Sequence, residues 1–248
     1  IILMRNCYMQ MITQMLATDL DGTLVGDEKH LKDLLTYYEG LQKKVTLVYV
    51  TGRHRESALE LIKEANIPMP SILISDVGTG IYIGNDLKPD EEWNLLMKKN
   101  WNPEAIKKIA SHYPTIVPQK LPDESRISYT AQEDEGSVEK LKQELLQANI
   151  PHKFIFSSGR DIDILPEASG KGSALTYVIE KYVEDQASIL IAGDSGNDEE
   201  MIRLGYPSVI VANAQPELIA IQDHPQLFRA TKNCAGGIHE AWLHFYDN

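Results

Sequence analysis

Apolar positions in this chain follow two spacings that alternate along most of its length. Residues 15–18, 45–50, 71–75, 188–192 and 208–212 are apolar nearly throughout, and predict short strands buried on both faces. Between these runs, apolar residues recur at i, i+3, i+4 and i+7. Leu31, Leu34, Leu35, Tyr38 and Leu41 predict one helix. Ala58, Leu61, Ile62 and Ala65 predict a second, stopped before Pro68, and Leu175, Val178, Ile179 and Tyr182 a third. Such alternation predicts an α/β fold, a Rossmann-like doubly wound parallel sheet.

The pattern changes near Leu87. Ile106, Ile109, Ala110 and Tyr113 predict a helix after Pro103, and Val138, Leu141, Leu145 and Ala148 another that ends before Pro151. Residues 126–130, 153–157 and 162–165 read as short alternating strands. This is an α+β insert of roughly 75 residues, enough for a small domain. The expected division is a core of residues 1–87 and 166–248 and an insert over 88–165. Hinges are expected at Leu87-Lys88-Pro89 and Leu165-Pro166-Glu167.

Composition narrows the function classes. The 248 residues carry a net charge of -12, which disfavours nucleic acid and anionic membranes as partners. An anionic ligand would need a local positive site. Cys7 and Cys234 are far apart and fit no metal spacing, so reduced thiols are expected. No run reaches the roughly 18 apolar residues of a membrane span, and the Met-rich start is broken by Arg5, Asn6 and Gln10, unlike a signal peptide. A cytoplasmic protein is expected, as monomer or weak dimer. The chain begins at Ile1, so a native start that has been trimmed away, or one at an internal Met, is expected.

The chemistry is concentrated in four short motifs. Asp19-Leu20-Asp21-Gly22-Thr23 follows the first apolar run and Thr51-Gly52-Arg53 the second. Gly170-Lys171-Gly172 opens the third helix, and Gly193-Asp194-Ser195-Gly196-Asn197-Asp198 follows the run at 188–192. Each alone could be a turn. In an open parallel sheet, however, all four would meet at the carboxyl ends of the strands. Carboxylates repel a phosphate unless a divalent cation intervenes, and Asp19, Asp21 and Asp194 offer the hard oxygens that Mg²⁺ prefers. Asp198 is expected beside that metal, orienting a bound water or Lys171. Lys171 supplies a point charge to the phosphate, while the Thr51 hydroxyl and the Gly52 backbone N–H supply donors for the transferring phosphoryl group. Asp19 is expected as nucleophile and Asp21 as general acid and then base. Asn197 is a candidate for phosphate or substrate contact.

In order and spacing these motifs resemble the haloacid dehalogenase superfamily of phosphatases, whose insert at this position is a cap over the substrate. Asp19 to Asp27, Val77-Gly78-Thr79-Gly80-Ile81-Tyr82, the stretch from Phe156 to Pro166, and Asn213-Ala214-Gln215-Pro216-Glu217-Leu218 are similar to the sucrose-phosphate and mannosylfructose-phosphate phosphatase branch. The resemblance implies a Mg²⁺-dependent phosphoric monoester hydrolase with a small sugar phosphate as partner, most simply a disaccharide phosphate. It also implies sugar contacts from Arg53, Gly78, Thr79, Ser158 and Arg160 in the cleft, and from Gln119 and Lys120 in the cap. A general Cof-like phosphatase of hexose phosphates is an alternative. A receiver-type signalling domain is disfavoured, because it has neither a cap of this size nor a carboxylate in the place of Asp21.

Overall fold

The structure, a computed structural model, describes residues 11–132 and 134–247. Cys7 and most of the Met-rich start lie outside them. The main sheet holds β1 (Ile12–Thr18), β2 (Thr46–Val50), β3 (Ile72–Ser75), β4 (Gly80–Ile83), β5 (Lys88–Pro89), β10 (Val183–Gly193), β11 (Ser208–Ile210) and β12 (Leu227–Arg229). A second sheet holds β6 (Ile116–Pro118), β7 (Ile127–Ala131), β8 (Lys153–Ser157) and β9 (Asp161–Leu165). The helices are α1 (Glu28–Glu39), α2 (Arg55–Glu64), α3 (Glu91–Lys98), α4 (Pro103–Ala110), α5 (Glu135–Gln147), α6 (Lys171–Tyr182), α7 (Glu199–Ile202), α8 (Pro216–Ile219) and α9 (Cys234–Tyr246).

The main sheet runs β12-β11-β10-β1-β2-β3-β4-β5. The first six strands in that order are parallel; β4 runs antiparallel to β3, and β5 antiparallel to β4. Leu16, Val48, Leu73 and Leu190 are fully buried, as expected for strands covered on both faces. Helices start where a side chain replaces the missing intrahelical partner: Asp27 accepts from the His30 N–H at the start of α1, and Asp90 from the Trp93 N–H at the start of α3. The second sheet, β6-β7-β9-β8, is antiparallel and forms its own apolar cluster with Ile106 and Ala110 of α4 and Val138, Leu141 and Leu145 of α5.

One boundary differs from the sequence expectation. Leu87, Trp93 and Met97 belong to the main core, whereas Trp101 packs on the smaller cluster. The chain therefore leaves the core between Met97 and Trp101, not at residue 88. At the expected hinge, Lys88 and Pro89 pair with Ile83 and Tyr82.

Candidate active site

Three adjacent parallel strands, β2, β1 and β10, end at one edge, and their loops carry Thr51, Asp19 and Asp194. This is where an open α/β sheet places a ligand, because the loops diverge there and backbone N–H groups are left unpaired. A cavity of about 300 Å³ opens at that edge, lined by Asp19, Asp21, Thr51, Gly52, Arg53, Ser158, Asp194, Ser195, Asn197 and Gln215. A larger cleft of about 780 Å³ lies along α1, lined by apolar residues such as Leu31, Leu35 and Ile67 together with Glu28, Glu39 and Glu64, and the lysine and aspartates of the four motifs do not line it.

Lys171 sits at the start of α6 and is almost completely buried. Its ammonium donates to Asp19 Oδ1 at 2.7 Å and to Asp198 Oδ1 at 2.6 Å. Burial opposes that charge, but the two carboxylates outweigh it and carry Lys171 above its usual range. Asp19 experiences the reverse balance. Burial pushes its carboxyl up to about 8, Lys171 opposes this, and Asp198 and Asp194 add to it. Asp194 is likewise pushed up to about 6, first by burial and then by Asp198.

Asp19, Asp194 and Asp198 present carboxylate oxygens within 4.8 Å of one another. Asp198 is fully buried and already occupied: Oδ2 accepts from the N–H groups of Asp194 and Ser195, and Oδ1 from Lys171. It is placed to fix Lys171 and the loop rather than to offer a free oxygen. Asp19 Oδ1 is bonded to Lys171, and Asp194 Oδ1 accepts from the Thr23 hydroxyl at 2.8 Å. Oδ2 of each is the oxygen left for a cation. The donor set is hard and anionic, and a divalent ion would relieve the carboxylate repulsion that adds to burial in raising Asp19 and Asp194, so these residues fit Mg²⁺. Gly22 keeps the space narrow. At φ +78 a side chain there would be strained, and its Cβ would meet Asp194 Oδ2 at 2.7 Å.

The Asp21 side chain lies outside this cluster, contrary to its expected place among the metal ligands. Arg53 holds it in a fork, Nε to Oδ2 at 2.7 Å and Nη2 to Oδ1 at 2.8 Å, and Asp21 stays half exposed at the mouth. Thr51 is buried, and its hydroxyl accepts from the Arg53 N–H. Ser158 reaches the cavity from the insert, with its N–H donating to Glu217 Oε1 at 2.8 Å.

Five of the expected sugar contacts lie outside the cavity lining. Gly78 is packed against the Gly170 carbonyl, and Thr79 donates to the Asp76 carbonyl. The Gln119 amide is spent on Tyr129, Thr130 and Asp161, and Arg160 pairs with Asp161 on the surface. Lys120 is exposed and away from the lining. Ser195 and Gln215 also line the cavity, beyond the residues the motifs point to. Their signal in the sequence is position alone, Ser195 beside Asp194 and Gln215 in Asn213-Ala214-Gln215.

Residues 12–246 match the family model of sucrose-6F-phosphate phosphohydrolase. The chain belongs to that family. The resemblance to haloacid dehalogenase phosphatases of the sucrose- and mannosylfructose-phosphate branch is thereby borne out. Sucrose-phosphatase 1 of Nicotiana tabacum is 33% identical over 249 residues, covering 93% of this chain and 59% of the relative. Thus the chain spans about 59% of the length of that plant relative. The mannosylfructose-phosphate phosphatase of Agrobacterium fabrum is 28% identical, covering 94% of this chain and 96% of its own. Among solved structures, the sucrose-phosphatase of Synechocystis in complex with sucrose and phosphate aligns with a TM-score of 0.87 at 33% identity, over 95% of this chain and 98% of that one. A haloacid dehalogenase-like hydrolase of Bacillus subtilis, at 19% identity and TM-score 0.68, covering 96% of this chain and 93% of its own, shares the fold. Among the described residues, no helix of this family member is long and apolar enough to cross a membrane.

Proposed function

We propose that this chain hydrolyses a sugar phosphate monoester, most simply a disaccharide phosphate such as sucrose 6-phosphate or mannosylfructose phosphate. The single observation that carries this reading is the buried Asp19–Lys171 pair, of which Asp19 lines the same cavity as the half-exposed Asp21. An Asp19 oxygen attacks phosphorus, the bond from phosphorus to the sugar oxygen breaks, and Asp21 delivers the proton that the leaving alkoxide needs. Asp21 then takes a proton from water, whose oxygen displaces Asp19 and frees inorganic phosphate. Lys171, the Thr51 hydroxyl and the Gly52 N–H hold the phosphoryl oxygens, where charge is greatest in the transition state. Asp19 and Asp194 would hold Mg²⁺, which supplies charge neutralisation between the carboxylates and the phosphate. Ser158, Ser195, Asn197 and Gln215 bring neutral hydroxyl and amide groups to the same cavity, a lining suited to a polyol.

The test is phosphate release by the Mg²⁺-supplemented protein from sucrose 6-phosphate, mannosylfructose phosphate and glucose 6-phosphate. A disaccharide phosphate is expected to give the highest kcat/KM. The reading is overturned if no sugar phosphate is hydrolysed, or if Asp19→Asn behaves as the wild type does. The general hexose-phosphate alternative predicts that glucose 6-phosphate is the best of the three.

A further inference from the structure

Arg126 belongs to the insert, on the residue before β7, yet its side chain ends inside the core. It is 7% exposed. Nη2 donates to the Gly52 carbonyl at 2.8 Å and Nε to Asp76 Oδ1 at 3.3 Å, both in the core. Nη1 donates to Ser128 Oγ at 2.8 Å and Asp163 Oδ1 at 2.5 Å, both in the insert. One guanidinium therefore spans two acids, one from each unit, and one backbone carbonyl. That carbonyl is the middle of the Thr51-Gly52-Arg53 turn.

The loop carrying Asp76 is bonded to the same turn. Its Asp76 N–H donates to the Arg53 carbonyl at 2.8 Å, and the Val77 N–H to the Thr51 carbonyl at 3.1 Å. Asp76 and Val77 both have left-handed backbone, with φ +52 and +55. That conformation is costly for a β-branched valine, and persists only where the surroundings fix it from several sides. Arg126 is one of those sides. Arg53, at the far end of the turn, forks Asp21. A continuous set of hydrogen bonds thus runs from the insert, through Arg126, to the residues expected to hold the phosphoryl group and the proton.

We propose that Arg126 is a positioning residue. It couples docking of the insert to the shape of the Thr51-Gly52-Arg53 turn, so the phosphate-holding half of the site is set only when the insert is seated. This rests on the reading of that turn as a phosphoryl-binding element.

The experiment is calorimetric titration of inorganic phosphate into the Mg²⁺-supplemented full chain, well below its Tm. Phosphate occupies only the core half of the site, and its binding needs no turnover. Arg126→Met combined with Asp163→Asn removes the cation and one buried acid together, which limits the loss of stability. It is expected to raise the phosphate Kd by about 5–50-fold, the range of ordinary coupling energies. Arg126→Lys keeps a charge but not the fork, and an intermediate Kd is expected. If the double variant unfolds cooperatively yet binds phosphate within two-fold of wild type, Arg126 is structural only and the proposal fails. If the double variant does not fold, an Arg126→Lys Kd within two-fold of wild type overturns it. A wild-type protein that binds phosphate but hydrolyses no sugar phosphate would sink the enzymatic reading alone.

Discussion

At Lys171, an ammonium 1% exposed touches two carboxylates that are themselves buried. Removing it leaves Asp19 and Asp198 without their cation. Breaking one side of such a pair costs about 3–5 kcal/mol. Lys171→Met is therefore expected to lower the urea-unfolding free energy by about that much, besides abolishing turnover. Asp19 gives a second prediction. Its usual value of 3.8 is carried to about 8 in the folded protein. Between those values the folded chain binds a proton that the unfolded chain does not, so metal-free stability falls as pH rises through the window. Asp194, carried to about 6, acts in the same direction. A divalent cation binds the ionised carboxylates and so favours the form that burial disfavours. The rise in Tm on adding Mg²⁺ should accordingly be larger at pH 8 than at pH 5 by thermal melts, and an equal rise at both would count against these carboxylates as the metal site.

Among the elements, α3 depends on one acid. Asp90 is buried, caps the helix at Trp93, and accepts from Lys181 and from the hydroxyls of Tyr177 and Tyr182 on α6. These bonds pin residues 88–98 to the core. Asp90→Ala is expected to cost about 3 kcal/mol, read from denaturant midpoints, because cap, ion pair and two hydroxyl partners are lost together. This acid was also part of what the sequence hid. β5 has two residues, too few for any periodicity, and the pattern of α3 does not say which apolar cluster receives Trp93 and Met97. The long central strands and amphipathic helices were legible because burial on both faces, or on one, leaves a period. The four motifs were legible because each follows a strand. Gln119 and Arg160 lie outside the cavity lining for a local reason: the Gln119 amide bonds to Thr130 and Asp161 on two strands of the insert, and Arg160 pairs with the adjacent Asp161.

For the whole molecule, the relevant quantity is the net charge of -12, opposed to an anionic substrate. On the proposed reading the attraction would come from a bound divalent cation and Lys171, while the long-range field repels. With Mg²⁺ saturating, kcat/KM for a dianionic sugar phosphate is expected to rise by about two- to three-fold between low and physiological ionic strength, as screening shortens the repulsive reach. A fall over that range would place a positive field around the mouth that the composition does not provide.

The strand order also governs when this chain can fold during synthesis. β1 lies between β2 and β10, its parallel partners on either side. The ribosome delivers β2 soon after β1, but β10 only after the whole insert has emerged. Until then the edge of β1 that faces β10 carries unpaired backbone groups, and Asp194 has not been made. At ordinary elongation rates of about 5–20 residues per second, that edge stays exposed for roughly ten to thirty seconds.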